Sequence, residues 1–316
     1  MQATSYADVQ AALTNPDLTV PPASEASTGI AWLRSSVARF STGPAHTRRR
    51  ALAVTQISTI DIQKLRSEAQ YRTTATLALF GDTPIDLMST VARTLPTELL
   101  AAALGIPGAT PAAIAAIARA YPTGNTDPEA DAAVEDLRGT VDDEATAARI
   151  ALLAQSFDAT AGVIGNAAFI MLRDELRAPA EAIIAETLRH TPPVRVTKRV
   201  TATGDTVEIN LATANRDPAV FPAPDDFDPT RANRDVHLDF GFGPHACPGR
   251  HVATAIAAGV LDAIRAYHLL TQAPTYAPPA NLRIPTHLTI TPTKPEIFPN
   301  SPHSPRPSQG DDPLSA

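Results

Sequence analysis

Residues 240–249, Phe-Gly-Phe-Gly-Pro-His-Ala-Cys-Pro-Gly, form the most distinctive stretch of the chain. They contain the only cysteine of the sequence, Cys247, and run directly into a helix predicted to begin near Arg250. Free backbone N–H groups and the helix dipole at such a position favour an anionic thiolate, and glycines let the backbone approach a flat ligand closely. A lone cysteine is usually an inert buried side chain, but this context favours a thiolate ligand.

The composition is that of a folded globular protein. Of the 316 residues, 44% are hydrophobic and 19% are charged, and the formal net charge is −7. An acidic chain lacks the overall basic character of proteins that bind nucleic acid or anionic membranes. The single cysteine excludes an internal disulfide framework, and the first residues lack the apolar segment of a signal peptide. We therefore expect a cytoplasmic protein with no nucleic-acid or membrane partner.

Helical periodicity dominates the first half of the chain. Ala, Leu and Arg recur at three- to four-residue spacing over residues 6–172, and the last part, 144–172, predicts a long buried helix. A shorter helix is predicted over 179–190, stopped by the Pro-Pro pair that follows it. Residues 251–270 return to helical spacing.

The second half adds short strands and a long irregular stretch. Alternating β-type residues predict strands within 194–203, 206–214 and 286–293. Residues 215–249 contain too many Pro, Asp and Gly residues for regular structure, and so long a loop is usually functional. Residues 295–316 form a Pro/Ser-rich tail that we expect to be disordered. The sequence thus predicts a mainly α fold with small β-sheets.

The cysteine loop resembles the haem-binding signature of the cytochrome P450 family, Phe-x-x-Gly-x-x-x-Cys-x-Gly, at Phe240, Gly243, Cys247 and Gly249. Three further stretches resemble family segments in the same order: 185–189 (Ala-Glu-Thr-Leu-Arg), 214–218 (Ala-Asn-Arg-Asp-Pro) and 227–231 (Phe-Asp-Pro-Thr-Arg).

The resemblance extends over nearly all of residues 6–293. It implies a cytochrome P450-like single domain, 1–294, that binds haem. The chain begins after the first helix and most of the first sheet of the family, so we expect a compact or N-terminally truncated member.

The resemblance also implies the residues that hold the cofactor, haem b. The thiolate of Cys247 would be the axial ligand of the iron, Phe240 would pack on the thiolate side of the haem, and Gly249 belongs to the same loop. Buried propionates need cationic partners. The residues at the positions of the family's cationic propionate partners are His46, Arg50, Arg199 and His245.

Other charged residues have expected structural or docking roles. Glu186 and Arg189, with Arg231 as a third member, are expected to form an ion network that holds the loop beneath the haem. Arg48 and Arg49 are expected to face outward, where a basic patch would suit an acidic ferredoxin.

The long helix departs from the family at the residues that handle protons. Residues 155–160, Gln-Ser-Phe-Asp-Ala-Thr, stand where members commonly have Ala-Gly-x-Asp/Glu-Thr-Thr. Asp158 keeps the acid, whereas Ser156 replaces the glycine and Ala159 replaces the threonine whose hydroxyl helps to deliver protons. Thr160 follows one residue later, about 100° around the helix. We take Asp158, Thr160 and Ser156 as the catalytic candidates, with water or a substrate hydroxyl as alternative proton donors.

The resemblance implies a haem-thiolate monooxygenase that inserts an oxygen atom from O2 into a small or medium organic substrate, free or carrier-tethered. Electrons would come from ferredoxin and ferredoxin reductase, the setting would be bacterial secondary metabolism, and the protein would be a monomer. Two alternatives stay open: a catalytically silent partner protein, or a peroxide-driven or oxidative-coupling enzyme suggested by Ala159. Arg195 and Lys198 suggest the hypothesis that the substrate is anionic. The alternative is that these two side chains are solvated or pair with the haem propionates.

Overall fold

The computed structural model describes residues 2–106, 108–140, 143–276 and 281–293. Helices account for most of these residues and two small sheets flank them, so the expected mainly α class is confirmed. The tail predicted to be disordered, 295–316, lies outside the described residues. The assignment of residues 1–294 to one haem-binding domain stays a prediction.

The helices of the described ranges are α1 (Tyr6–Thr14), α2 (Gly29–Ser35), α3 (Gly43–Ser58), α4 (Ile62–Ala78), α5 (Leu95–Ala103), α6 (Pro111–Ala120), α7 (Pro128–Arg138), α8 (Glu144–Arg173), α9 (Ala180–His190), α10 (Leu211–Ala214) and α11 (Arg250–Ala263). Short 3-10 turns occur at Ala38–Phe40, Arg234–Val236 and Gly243–His245, and a π-helical turn at Met88–Ala92.

The strands are β1 (Gln2–Ala3), β2 (Ile85–Asp86), β3 (Val196–Val200), β4 (Thr206–Asn210), β5 (Tyr267–Leu269) and β6 (Thr289–Pro292). One sheet has the order β1-β4-β3, with β1 parallel and β3 antiparallel to β4. The other has the order β2-β6-β5 with antiparallel pairs.

Two boundaries differ from the sequence prediction. The strand expected to continue to residue 214 ends at Asn210, whose side chain caps α10 by accepting a 3.0 Å hydrogen bond from the Thr213 N–H. The helix expected to continue to residue 270 ends at Ala263, and Tyr267–Leu269 instead pairs with β6. In the first place a local helix cap ends the strand, and in the second a strand from later in the chain pairs with residues that the pattern had assigned to a helix.

The long helix α8 lies at the centre of the core and packs against α3, α5, α6, α9 and α11. Its neighbour α11 crosses α4 very closely at Gly259, where a Cβ atom would lie 2.4 Å from the Arg66 carbonyl oxygen. This tight contact fixes α11, and therefore the loop that precedes it. In the ranges the structure describes, no helix is long and apolar enough to cross a membrane.

The N-terminus of α8 is fastened to α3 by charge. Glu144 accepts hydrogen bonds from Arg48 at 2.8 Å and from Arg49 at 2.7 Å, and these two arginines hold the pKa of Glu144 at about 2. The Arg49 side chain is only 18% exposed. The expectation that both arginines face outward is therefore wrong for Arg49, because the first turn of α8 supplies a carboxylate that the sequence did not place beside it.

The expected ion network is confirmed, and it is buried. Arg189 donates to the two carboxylate oxygens of Glu186 at 2.6 and 2.9 Å, and both side chains are fully buried. Arg231 approaches the same carboxylate at 3.4 Å. Arg189 also donates to the carbonyl oxygens of Asn215, Pro224 and Asp226, and so ties the long irregular stretch to α9.

Replacing Arg189 by Leu should lower the free energy of unfolding by about 3–5 kcal/mol, because the Glu186 charge stays buried without its main partner. Urea unfolding monitored by circular dichroism measures the loss. Arg173→Leu, which breaks the exposed pair with Asp174, should cost at most about 1 kcal/mol. Similar small losses in both variants would contradict a structural role for the network.

The Glu144 contact should make stability depend on pH. Because the folded-state pKa is about 2, below the ordinary value of 4.5, the contact stabilises the protein above that ordinary value and fades as the pH falls towards 2. The difference in urea midpoint between the wild type and Glu144→Gln should therefore be largest near neutral pH and vanish in strong acid. A difference that does not change with pH would contradict this prediction.

Candidate functional site

The cysteine loop is shaped by its own backbone. The Cys247 N–H donates to the Phe240 carbonyl oxygen at 2.7 Å, which closes the loop, and Gly249 is the residue before α11. Gly243 has a φ of +69°, and a Cβ atom there would lie 2.9 Å from Thr14 Cγ2 of α1. Only glycine combines this left-handed backbone with such close packing, so the signature glycine has a local structural cause.

The thiol of Cys247 experiences opposing influences. The residue has solvent-accessible surface, yet protein atoms surround most of the thiol group. This burial raises the pKa of the thiol. A hydrogen bond from the Gly249 backbone N–H and the charges of Arg250 and Arg50 act in the opposite direction. We expected the helix N-terminus to lower the pKa. Burial prevails instead, so the thiolate form requires a positively charged binding partner.

Two buried groups beside the loop were not identified from the sequence. Burial raises the pKa of Asp239 well above its usual range, although the Val194 N–H stabilises the carboxylate. Burial, with a contribution from Arg250, lowers the pKa of His237 to about 4. His237 Nδ1 accepts a 3.3 Å hydrogen bond from the Asp239 N–H, as a neutral imidazole can. Both groups therefore favour their uncharged forms near the cysteine.

The predicted propionate partners come together from three separate elements. His46 and Arg50 lie on one face of α3, Arg199 is a buried residue of β3, and His245 belongs to the cysteine loop. The rings of His46 and His245 lie 4.0 Å apart. Burial and the neighbouring cations lower the pKa of His245 to about 4, and burial and Arg50 lower that of His46. The permanent charges of this cationic cluster are thus the two guanidiniums.

The cationic cluster fits the carboxylates of haem. None of the described carboxylates forms a salt bridge with Arg50 or Arg199, and His46 Nε2 is buried without a hydrogen-bond partner within the described ranges. Buried cations and orphaned polar atoms are costly unless an anion or acceptor pairs with them. The propionates of a haem whose iron meets Cys247, two residues from His245, would supply those anions.

The middle of α8 presents an exposed stripe within a helix that is otherwise largely buried. Gln155 is exposed, and Leu152, Ser156 and Ala159 are half-buried, at the spacing of one helical face. The Ser156 hydroxyl donates to the Leu153 carbonyl oxygen at 2.9 Å, and the Gln155 amide donates to the Ala151 carbonyl oxygen at 3.0 Å. Gln155 was missed from the sequence. The sequence did contain a signal for it, because Gln155 is a polar residue at a position where family members commonly have alanine.

The other two candidates in this helix differ in exposure. Asp158 is partly exposed and is held by Arg93, whose Nη1 lies 3.2 Å from Asp158 Oδ1. Thr160 is 2% exposed. It follows Ser156 by four residues, so the two are neighbours along the helix surface.

The two residues behind the anionic-substrate hypothesis lie at the start of β3 and within it. Lys198 stands opposite Glu208 on the exposed face of the strand, whereas Arg199 stands opposite Val207 on the buried face. Lys198 therefore does not share a surface with the cationic cluster. Arg195 is exposed and precedes the strand.

Comparisons with known proteins identify one family as similar to this chain. The family model described as Cytochrome P450 matches residues 177–264. Putative cytochrome P450 140 of Mycobacterium tuberculosis is 37% identical over 123 residues, which cover 33% of this chain and 28% of that protein. The matched segment thus spans less than a third of that curated relative.

Solved structures match far more of the chain. Ligand-free CYP164A2 of Mycobacterium smegmatis is 26% identical, with a TM-score of 0.72, and the match covers 92% of this chain and 90% of that one. P450BioI, solved in complex with an acyl carrier protein ligated to hexadec-9Z-enoic acid, is 22% identical, with a TM-score of 0.76 and coverage of 92% and 91%.

Members of this family bind haem through a cysteine thiolate, and the Cys247 loop has that residue at the matching position. The fold of this chain is shared with these solved structures over 92% of its length. The family model, the curated relatives and the solved structures together support a cytochrome P450 family protein.

Proposed function

We propose that the chain is a haem-thiolate monooxygenase. One atom of O2 would enter a C–H bond of an organic substrate and the other would leave as water, with two electrons and two protons consumed. Ferredoxin, itself reduced by ferredoxin reductase, would supply the electrons. The observation that carries the proposal is the cysteine thiol at the start of α11, beside a cationic cluster without described carboxylate partners.

The first task of the chain would be to hold the cofactor. When bound, haem would supply the one-electron and O2 chemistry that amino-acid side chains lack. Cys247 would bind the iron as a thiolate, helped by the Gly249 N–H and by the charges of Arg250 and Arg50. Arg50, Arg199 and the two histidines of the cationic cluster would bind the propionates, and Phe240 would pack beside the ligand loop.

The second task would be to move protons. Asp158 is partly exposed, so it can exchange protons with solvent, and Arg93 holds its carboxylate in place. Ala159 cannot donate a proton. The Ser156 hydroxyl is the group of the stripe that can both accept and donate a proton, and it would carry the proton with water. The carbonyl oxygen of the Gln155 amide can only accept a hydrogen bond, so it would position that water.

A peroxide-driven reaction is the second candidate, and the same stripe favours it. With hydrogen peroxide as the oxidant, the substrate is oxidised and water is released without a reductase, so the proton relay matters less. Ala159 and the Asp158–Arg93 pair are the observations that support this candidate.

The substrate would be a small or medium organic molecule. P450BioI was solved with a carrier-bound acyl chain, so a carrier-tethered substrate belongs within the proposal. A cytoplasmic location and a monomeric state stay predictions.

The ligand assignment is tested by the absorbance spectrum of the purified, dithionite-reduced protein with carbon monoxide. The wild type should show the strongly red-shifted Soret band of a thiolate-ligated haem, and Cys247→Ala should lose it while keeping its circular dichroism. A wild type without haem, or with the band of a neutral-ligand haem, would contradict the proposed function.

Ala159→Thr tests the proton relay. The added hydroxyl should reduce the peroxide released per electron consumed, measured with ferredoxin, its reductase and a ligand that shifts the haem spectrum. Valine has the shape of threonine without the hydroxyl, so Ala159→Val should leave the peroxide released per electron unchanged. If neither variant changes it, and hydrogen peroxide alone yields more product than ferredoxin with O2, the peroxide-driven candidate replaces the first.

A further inference from the structure

The exposed stripe in the middle of α8 is a recess in the helical core rather than a part of the outer surface. On the same face, Ala148 lies four residues before Leu152 and is 5% exposed, and Val163 lies four residues after Ala159 and is 3% exposed. The opening between Leu152 and Ala159 is about 10 Å long at the rise of an α-helix. Because the other faces of α8 pack against neighbouring helices, this enclosed opening has the form of a binding site for a small molecule.

The Gln155 amide has a fixed orientation in this recess. Its Nε2 donates a hydrogen bond to the Ala151 carbonyl oxygen at 3.0 Å. The reverse orientation would bring two acceptor oxygens together, so the helix itself determines which end of the amide is the carbonyl. The carbonyl oxygen, Oε1, accepts no hydrogen bond from the described residues, and Gln155 is the exposed member of the stripe. The recess therefore contains an acceptor that a bound molecule can use.

The Ser156 hydroxyl adds a second acceptor. Its hydrogen is directed to the Leu153 carbonyl oxygen at 2.9 Å, which leaves the lone pairs of the Ser156 oxygen for another partner. The remaining members of the stripe, Leu152 and Ala159, have apolar side chains. The stripe therefore offers two acceptor oxygens and the one remaining N–H of the Gln155 amide, on a surface that is otherwise apolar.

This balance selects the hydrogen-bonding group of a ligand. A carbonyl, an ether or a carboxylate could use only the single N–H and would leave both acceptor oxygens of the recess without a partner. An ammonium group would lose its hydration without a carboxylate to replace it, because Asp158 is already paired with Arg93 at 3.2 Å. A hydroxyl both donates and accepts, so it is the group that matches the recess.

We propose that Gln155 binds a hydroxyl group of the substrate, and that the substrate is an alcohol with an apolar body. The inference rests on the proposed function and specifies its substrate class. The hydroxyl donates to Gln155 Oε1, and the apolar body packs against Leu152 and Ala159. Because Oε1 has two lone pairs, it can hold the water of the proton path beside the bound alcohol.

Matched ligands test the assignment on the haem-loaded protein. Primary alcohols of graded length, 4-phenylbutan-1-ol and 1-decanol among them, are compared with their methyl ethers, which lose the donor, and with the corresponding fluorides, which keep the size of the hydroxyl. Equilibrium dialysis measures binding, and the shift of the Soret band reports whether the ligand lies near the haem. At least one alcohol should bind the wild type about tenfold or more tightly than its ether and its fluoride.

Two variants identify the residue. Gln155→Met keeps the length of the side chain and removes the amide, so the alcohol, its ether and its fluoride should bind within about threefold of one another. Gln63→Met, the same change at an exposed position of α4, should keep the full preference for the alcohol. Both variants should keep the haem content and the circular dichroism of the wild type, because both side chains are exposed.

The other outcomes overturn the assignment. A haem-loaded wild type that binds no alcohol of the series more tightly than its ether would show that the recess recognises no donor. An unchanged preference in Gln155→Met would show that Gln155 does not bind the hydroxyl. A wild type without thiolate-ligated haem would overturn the proposed function as well, so the two failures can be told apart.

Discussion

The guanidinium of Arg189 is the group on which the arrangement of the site depends. It is completely buried, it neutralises Glu186, and it donates to three carbonyl oxygens of the irregular stretch that follows the first sheet. Polar backbone groups in such a stretch need partners that no helix or strand provides. One side chain supplies several of them at once, and the same stretch ends in the cysteine loop. The ion pair of α9 therefore anchors the start of the stretch that leads to the thiol about sixty residues later, while the close contact of α11 at Gly259 holds its other end.

Electrostatics divides the site into two regions of different character. Around Cys247, burial favours neutral groups: the thiol and Asp239 have raised pKa values, and that of His237 is lowered to about 4. Around His46 and His245, positive charge accumulates instead, because guanidiniums keep their charge even where burial opposes it. A flat cofactor with a cationic metal centre and anionic substituents at one edge complements both regions. One ligand, haem, would therefore satisfy both sets of residues.

Local patterns allowed much of this to be predicted. The spacing of Phe240, Gly243, Cys247 and Gly249 identified the loop, and Glu186 with Arg189 identified the ion pair, because each set lies within ten residues. Features that depend on distant contacts were missed: the pairing of Arg49 with Glu144, and the burial that raises the pKa of the Cys247 thiol. Periodicity also extended two elements too far, since it carries no information about the caps and partners that end them.

The alternation of β3 has a consequence for how the chain tolerates change. Lys198 and Arg199 are adjacent in sequence, yet one stands opposite Glu208 on the exposed face and the other opposite Val207 on the buried face. A strand has a two-residue repeat, so inserting or deleting a single residue within β3 ahead of this pair would exchange their environments. The ammonium would then turn inward and the guanidinium outward. Length changes inside the strand ahead of Lys198 are therefore compatible with the cationic cluster only in even numbers, whereas the turn before β3 can absorb either parity.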